Sequence, residues 1–229
     1  MIIFPCSGRK IKPNNEHFIN ETFTKNEEEN ILDLINDTKS LLITGRGGLS
    51  TYIDTNSIPI AALDRYNGFL YTSSPDFRNI VKNAHLKQDM YILIMSGGYG
   101  LLTPSERIFY YNKKMDAKYW NLHGLPKVIE NYITNNKITH VFGFFSVSTD
   151  YLKIMNSIDW QGLKENTSLE LARAYYINFQ GTGGALQIVP QTTGALITSF
   201  IKSNFNEDKF YTNPFHEQFI NFIDYPKEY

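Results

Sequence analysis

The chain has one cysteine, Cys6, in 229 residues, which excludes an intramolecular disulfide framework and a cysteine-based zinc site. Its five histidines, His17, His85, His123, His140 and His216, never fall at a metal-ligand spacing such as HxxxH, so neither a metal nor a cofactor is expected. No apolar run approaches the roughly 20 residues that span a bilayer, and the chain opens into a strand-like run rather than a charged leader. Together these absences predict a soluble, unprocessed protein of a reducing cytoplasm with no membrane partner. Excess charge is missing too. Lys and Arg total 22 against 23 Asp and Glu, a formal charge of −1, so any nucleic-acid contact must rest on a local patch. Repeats, heptads and low-complexity segments are lacking, and oligomeric state is left open.

Aromatic residues, by contrast, are plentiful: 15 tyrosines and 16 phenylalanines. They suit a Phe-rich core rimmed with Tyr, and any surplus could stack on bases. Length and pattern predict an α/β fold. We expect a single compact domain over residues 1–229, with a mixed, mostly buried central sheet flanked by helices. Its core is expected over residues 1–202, with 203–229 an extension packed outside. Strands are expected at residues 2–5, 90–95, 138–145 and toward 179, and helices at 27–39, 77–87, 119–131 and 194–202. Pro126 should break or start the third helix. The run GRGGLS at 45–50 reads as a loop. It lacks the Lys-Ser/Thr ending of a P-loop and does not complete GxGxxG, so tracking a nucleic-acid backbone suits it better than cradling a nucleotide.

Residues 90–115, MYILIMSGGYGLLTPSERIFYYNKKM, organise the remainder. The run up to Met95 is apolar without alternation, as in a strand covered on both faces. Ser96, Gly97 and Gly98 then end it, and glycines there let backbone approach a ligand. The first strand ends in Cys6-Ser7-Gly8-Arg9-Lys10, where Lys10 could hold an anion or sit in a solvated basic pair. In Asp64-Arg65-Tyr66-Asn67-Gly68 an acid, a cation and a tyrosine could grip an aromatic ligand, or form a surface ion pair beside a turn. Asp150 stands just past the strand at 138–145, as a site carboxylate or, with Thr149, as a helix cap.

In order and rough spacing these segments resemble the YaaA peroxide-stress family and related bacterial domains. Residues 95–104, MSGGYGLLTP, resemble its LSGxYGxLxP signature, and the stretch to Met115 its continuation. PCSGRK at 5–10 stands for its SPAK opening, GFLY at 68–71 for GxVY, and FSVSTDY at 145–151 for LAS-x-EY. The resemblance covers residues 1–200. It implies a compact α/β fold with a helix-hairpin-helix-like element and DNA binding with a preference for shape. Distant similarity to uracil-DNA glycosylase-like domains adds a nucleobase pocket ringed by short polar loops. The family's basic late segment is replaced here by GALQIVPQTTGALI at 184–197, which shifts the expectation from non-specific DNA binding toward one particular base.

The resulting expectation is a DNA glycosylase that flips a modified base from double-stranded DNA and cleaves its N-glycosidic bond, leaving an abasic site. Defence against phages carrying modified bases is one setting for it. Tyr66, Tyr99 and Tyr111 would stack on the base, and Asn67, Asn112 and Gln191 would read its edge. Asp64 or Asp150 would position water or stabilise the oxocarbenium-like sugar. Lys10 and Arg65 would bind phosphate or polarise the leaving base, with Ser7, Arg9, Ser96 and the amides of Gly97 and Gly98 as further contacts. The alternative is a non-catalytic YaaA-like protein that recognises damaged or bent DNA.

Overall fold

Four short runs become parallel strands, the first three apolar and buried on both faces, the fourth alternating between buried and half-buried positions. They are β1 (Ile2–Pro5), β4 (Ile92–Ser96), β8 (His140–Ser146) and β9 (Leu171–Ile177). The computed structural model describes residues 1–13, 21–24, 36–87, 90–147, 149–179, 184–204 and 220–227. Antiparallel β5 (Gly100–Leu102) and β10 (Ile220–Tyr225) complete a mixed six-stranded sheet of order β10-β9-β8-β1-β4-β5. Pairs of two-residue strands, β2 (Ile53–Asp54) with β7 (Tyr110–Tyr111) and β3 (Ile60–Ala61) with β6 (Arg107–Ile108), knit the intervening loops together.

Alternation along the strands divides the core. Ile2, Phe4, Ile92, Ile94, Phe142 and Phe144 face one side, where α3 (Phe77–His85) and α8 (Ala185–Lys202) cover the sheet. Ile3, Leu93, Met95, Val141 and Phe145 face the other. That layer holds α1 (Asn36–Gly48), α4 (Ala117–Leu122), α5 (Leu125–Asn135), α6 (Asp150–Met155) and α7 (Trp160–Asn166). The one-turn α2 (Ala62–Arg65) follows β3. The result is a single compact α/β domain with helices on both faces of a mixed sheet.

Strand order dictates where a ligand can sit. The chain runs from β1 outward to β4, then crosses back to β8 on the other side of β1 and on to β9. The direction reverses between β1 and β8, and open α/β sheets bind ligands at the carboxyl ends of strands at such a reversal.

Several local expectations change. The loop expected at 45–50 is largely the end of α1, because its glycines serve helix packing. A Cβ on Gly45 would lie 2.7 Å from the Trp120 ring, and one on Gly48 2.5 Å from the Tyr119 hydroxyl. The last helix starts nine residues earlier than residue 194 and carries Pro190 inside it. Proline's missing N–H is harmless in the sixth helical position only if the preceding turn adjusts. Residues 220–225, expected outside the core, supply the edge strand β10. The start of the helix expected at 27–39 lies outside the described residues.

Candidate functional site

A crevice of about 740 Å³ opens where strand order reverses. The loop after β1 forms one wall: Pro5, Cys6, Ser7, Gly8 and Arg9. Ser146, Val147, Thr149 and Tyr151, after β8, form the next. Gly68, Phe69 and Leu70 close the lip, and Ile177, Phe179 and the first turns of α8 make an apolar side. A smaller cavity of about 400 Å³ lies around Met1, Met90 and His140, at the amino ends of the strands, where sheets of this class do not place ligands.

The polar wall is built by backbone. β1 is held between β4 and β8, so its last residues project past the sheet, and Cys6 N–H donates to Met95 O at 2.8 Å. Arg9 N–H donates to Ser7 Oγ at 3.1 Å, which fixes the turn, and the Arg9 guanidinium lies 5.0 Å from the Phe69 ring centre. Asn67 N–H donates to Arg9 O at 3.0 Å and ties the lip to the same loop. Gly68 leaves room there for the Ser7 side chain, since a Cβ would fall 1.9 Å from Ser7 Oγ and displace it. Thr149 Oγ1 donates to Ser146 O at 2.9 Å and turns the chain into α6.

Behind this wall runs a chain of hydroxyls. Tyr66 donates to Ser96 Oγ at 3.2 Å, Ser96 donates to the Tyr111 hydroxyl at 2.9 Å, and the Tyr66 and Tyr111 hydroxyls are 2.8 Å apart. Cys6, beside this chain, lies with its Sγ 3.2 Å from the Tyr151 hydroxyl at the crevice. Burial pushes the Tyr66, Tyr111 and Tyr151 phenols well above their usual range, so each keeps its proton. Lys10 rests over the Tyr111 ring at 4.1 Å. Desolvation lowers its pKa, the Cys6 thiol opposes that, and Arg65 adds to it.

The structure sorts the candidate residues. Only Ser7 and Arg9 line the crevice. Tyr66, Ser96 and Tyr111 are fully buried and bond one another, so they support the wall and cannot stack on a base. Tyr99 packs edge-on against Tyr111, and its hydroxyl accepts from Phe109 N–H at 3.1 Å. Gly97 and Gly98 are small for packing rather than for a ligand. A Cβ would meet the backbone of residues 113–115 at 2.5 Å in the first case and the Tyr111 ring at 2.5 Å in the second. The buried strand expected at 90–95 is present as β4, Ile92–Ser96, but its carboxyl end is plugged by these tyrosines, and the opening lies one strand over.

The two aspartates separate as well. Asp64 is 3% exposed and accepts from Thr22 N–H at 2.8 Å and from the Thr22 hydroxyl, with Arg78 Nε at 3.9 Å. Desolvation raises its pKa against those bonds. It fastens residues 21–24 and is not on the crevice wall. Arg65 is fully buried and donates to Ile11 O at 2.8 Å, to Ile58 O and to Ile108 O, clamping three carbonyls instead of contacting phosphate. Asp150 opens α6 between the two crevice residues Thr149 and Tyr151, with Lys153 Nζ at 2.8 Å. Asn67 reaches Arg78 at 3.5 Å, Asn112 is exposed and bonds Tyr52 O through its N–H at 3.0 Å, and Gln191 lies on α8 beside the crevice residues Val189, Pro190 and Thr193.

Sequence reasoning missed Phe69, Thr149, Tyr151 and Phe179 as site residues. The first three fall in the GFLY and FSVSTDY segments, so the signal was present but was assigned to neighbouring positions. No protein-family model matches this chain, and no curated protein matches it significantly. No described helix is long and apolar enough to cross a membrane, and the described residues hold no cluster of three or more His, Cys, Asp or Glu suited to a metal.

Proposed function

We propose that this protein is a DNA glycosylase-type hydrolase that draws a modified nucleobase out of duplex DNA into the crevice between β1 and β8. The observation that carries the reading is that crevice: a base-accepting volume at the strand-order reversal, polar on the β1 and β8 loops and apolar on α8. Arg9 at the lip suits a flanking phosphate, and the Phe69 ring suits a base face. Ser7 and the Tyr151 hydroxyl suit the polar edge of the base.

In the reaction the bond between the base nitrogen and C1′ of the sugar breaks. Water adds its hydroxyl to C1′, and its remaining proton goes to the departing base. Of the two candidate aspartates, Asp150 is the one next to crevice residues in the chain, at the start of α6; its carboxylate is paired with Lys153 Nζ at 2.8 Å and is not on the wall, so orienting the water requires it to leave that pair, whereas Asp64 faces Thr22. Distant similarity to uracil-DNA glycosylase-like domains supports this chemistry, the YaaA resemblance supports DNA binding, and defence against phages with modified bases would be one setting for it.

The test is incubation with plain, uracil-containing and hypermodified duplexes, followed by alkali. Strand breaks confined to one modified base are expected, and tight binding with no breaks on any duplex would overturn the proposal. One observation favours the second reading, a non-catalytic YaaA-like DNA-binding protein: the crevice wall itself carries no carboxylate among the described residues. In that case Asp150→Asn would leave DNA binding and its salt dependence unaltered, and no base would be released.

A further inference from the structure

The crevice has two chemically distinct halves, and the apolar half is larger than a bare base requires. At 740 Å³ it falls within the range of about 300–1,000 Å³ that takes a drug-sized ligand, several times the size of a pyrimidine ring. The surplus lies against Ile177, Phe179, Ala185, Leu186 and Val189. Leu186 is 92% exposed and Val147, across the opening, 42%, so apolar surface faces the solvent at the mouth. The one hydroxyl on this side does not offset that character, because Thr193 Oγ1 already donates to Val189 O at 2.8 Å within its own helix. The whole run 184–197 that supplies this wall carries no charged residue.

We propose that the substrate base carries a bulky, largely apolar substituent, and that this substituent sits against the first turns of α8 while the ring is held by the Ser7–Tyr151 side. This rests on reading the crevice as the base site. A polar or charged substituent would lose its hydration there without gaining partners. An unsubstituted base would leave the apolar half wet.

The test uses the full chain and fluorescently labelled duplexes that differ only at one central position, uracil or 5-phenyluracil. Wild-type protein is expected to bind the phenyl duplex at least about tenfold more tightly, the gain that burial of a ring of this size gives. Ala185→Phe, which fills the apolar half, and Ala185→Asp, which charges it, should each collapse that ratio toward one. Ala185 is exposed in the first turn of its helix, where an acid suits the helix dipole, so the Asp variant keeps the fold. Equal affinity for the two duplexes, with both weakened by Arg9→Ala, would overturn the substituent proposal and leave the crevice as a base site. Affinities indifferent to Arg9→Ala and to both Ala185 variants would overturn the two together. A phenyl preference that survives in Ala185→Phe would place the substituent elsewhere and overturn the proposal alone.

Discussion

Replacing Asp64 separates a structural carboxylate from a catalytic one. In Asp64→Ala, the Thr22 N–H, which donates at 2.8 Å, and the Thr22 hydroxyl both lose a charged acceptor. Hydrogen bonds to charged groups are worth about 1.5–3 kcal/mol each. Part of that is already spent on burying the carboxylate, as its raised pKa shows, and Arg78 at 3.9 Å adds little. A net loss of about 2–3 kcal/mol follows, which for 229 residues lowers Tm by about 4–12 °C. Asp64→Asn keeps one acceptor and sheds the buried charge, so about 1 kcal/mol is expected. The pH dependence has a definite sign. Because the folded pKa is raised above 3.8, the native state holds the proton longer than the unfolded chain. Asp64 therefore costs stability as pH rises through that window, and the Asn variant should lose this slope. Thermal unfolding and base release are measured on the same preparations. An Asn variant with unchanged Tm and no base release would refute the reasoning and return Asp64 to the chemistry.

Ser96→Ala removes the donor to Tyr111 and the acceptor for Tyr66 and for Tyr99 N–H, and should cost about 1–3 kcal/mol in urea unfolding; a loss below about 0.5 kcal/mol would mean that the hydroxyl chain is not a stabilising unit. Gly68→Ala should displace Ser7 Oγ from the Arg9 N–H and weaken ligand binding severalfold, with Tm nearly unchanged. His85 is held neutral by burial, its pKa lowered from 6.5 to about 4. Between those values the unfolded chain binds the extra proton, so stability should fall by up to about 1.4 kcal/mol per unit as pH drops, and His85→Gln should flatten that limb.

Strands were the most legible part of the fold, because β1, β4 and β8 are short apolar runs bounded by turns, and burial on both faces leaves a pattern that sequence carries directly. Pro126 likewise marks a real helix start, at the second position of α5. The glycines misled: Gly45, Gly48, Gly97 and Gly98 mark close approach of protein to protein, and only the tertiary neighbours Trp120, Tyr119, Tyr111 and the backbone of 113–115 reveal it. Asp64, Arg65 and Tyr66 looked like a ligand grip because sequence shows composition but not the direction of side chains. Their partners, Thr22, Ile58 and Ser96, are far away in the chain or on other elements. The crevice itself depends on strand order, which no local pattern encodes, so Ser7 and Arg9 could be found while Phe179 and the start of α8 could not.

The central claim is that the base enters between the carboxyl ends of β1 and β8, and the most direct measurement is release of free base from a duplex bearing one bulky 5-substituted pyrimidine. Wild type and the stably folded fraction of Asp64→Asn are predicted to release it, while Ala185→Trp, which blocks the crevice, releases none. Equal release by wild type and Ala185→Trp would contradict the account.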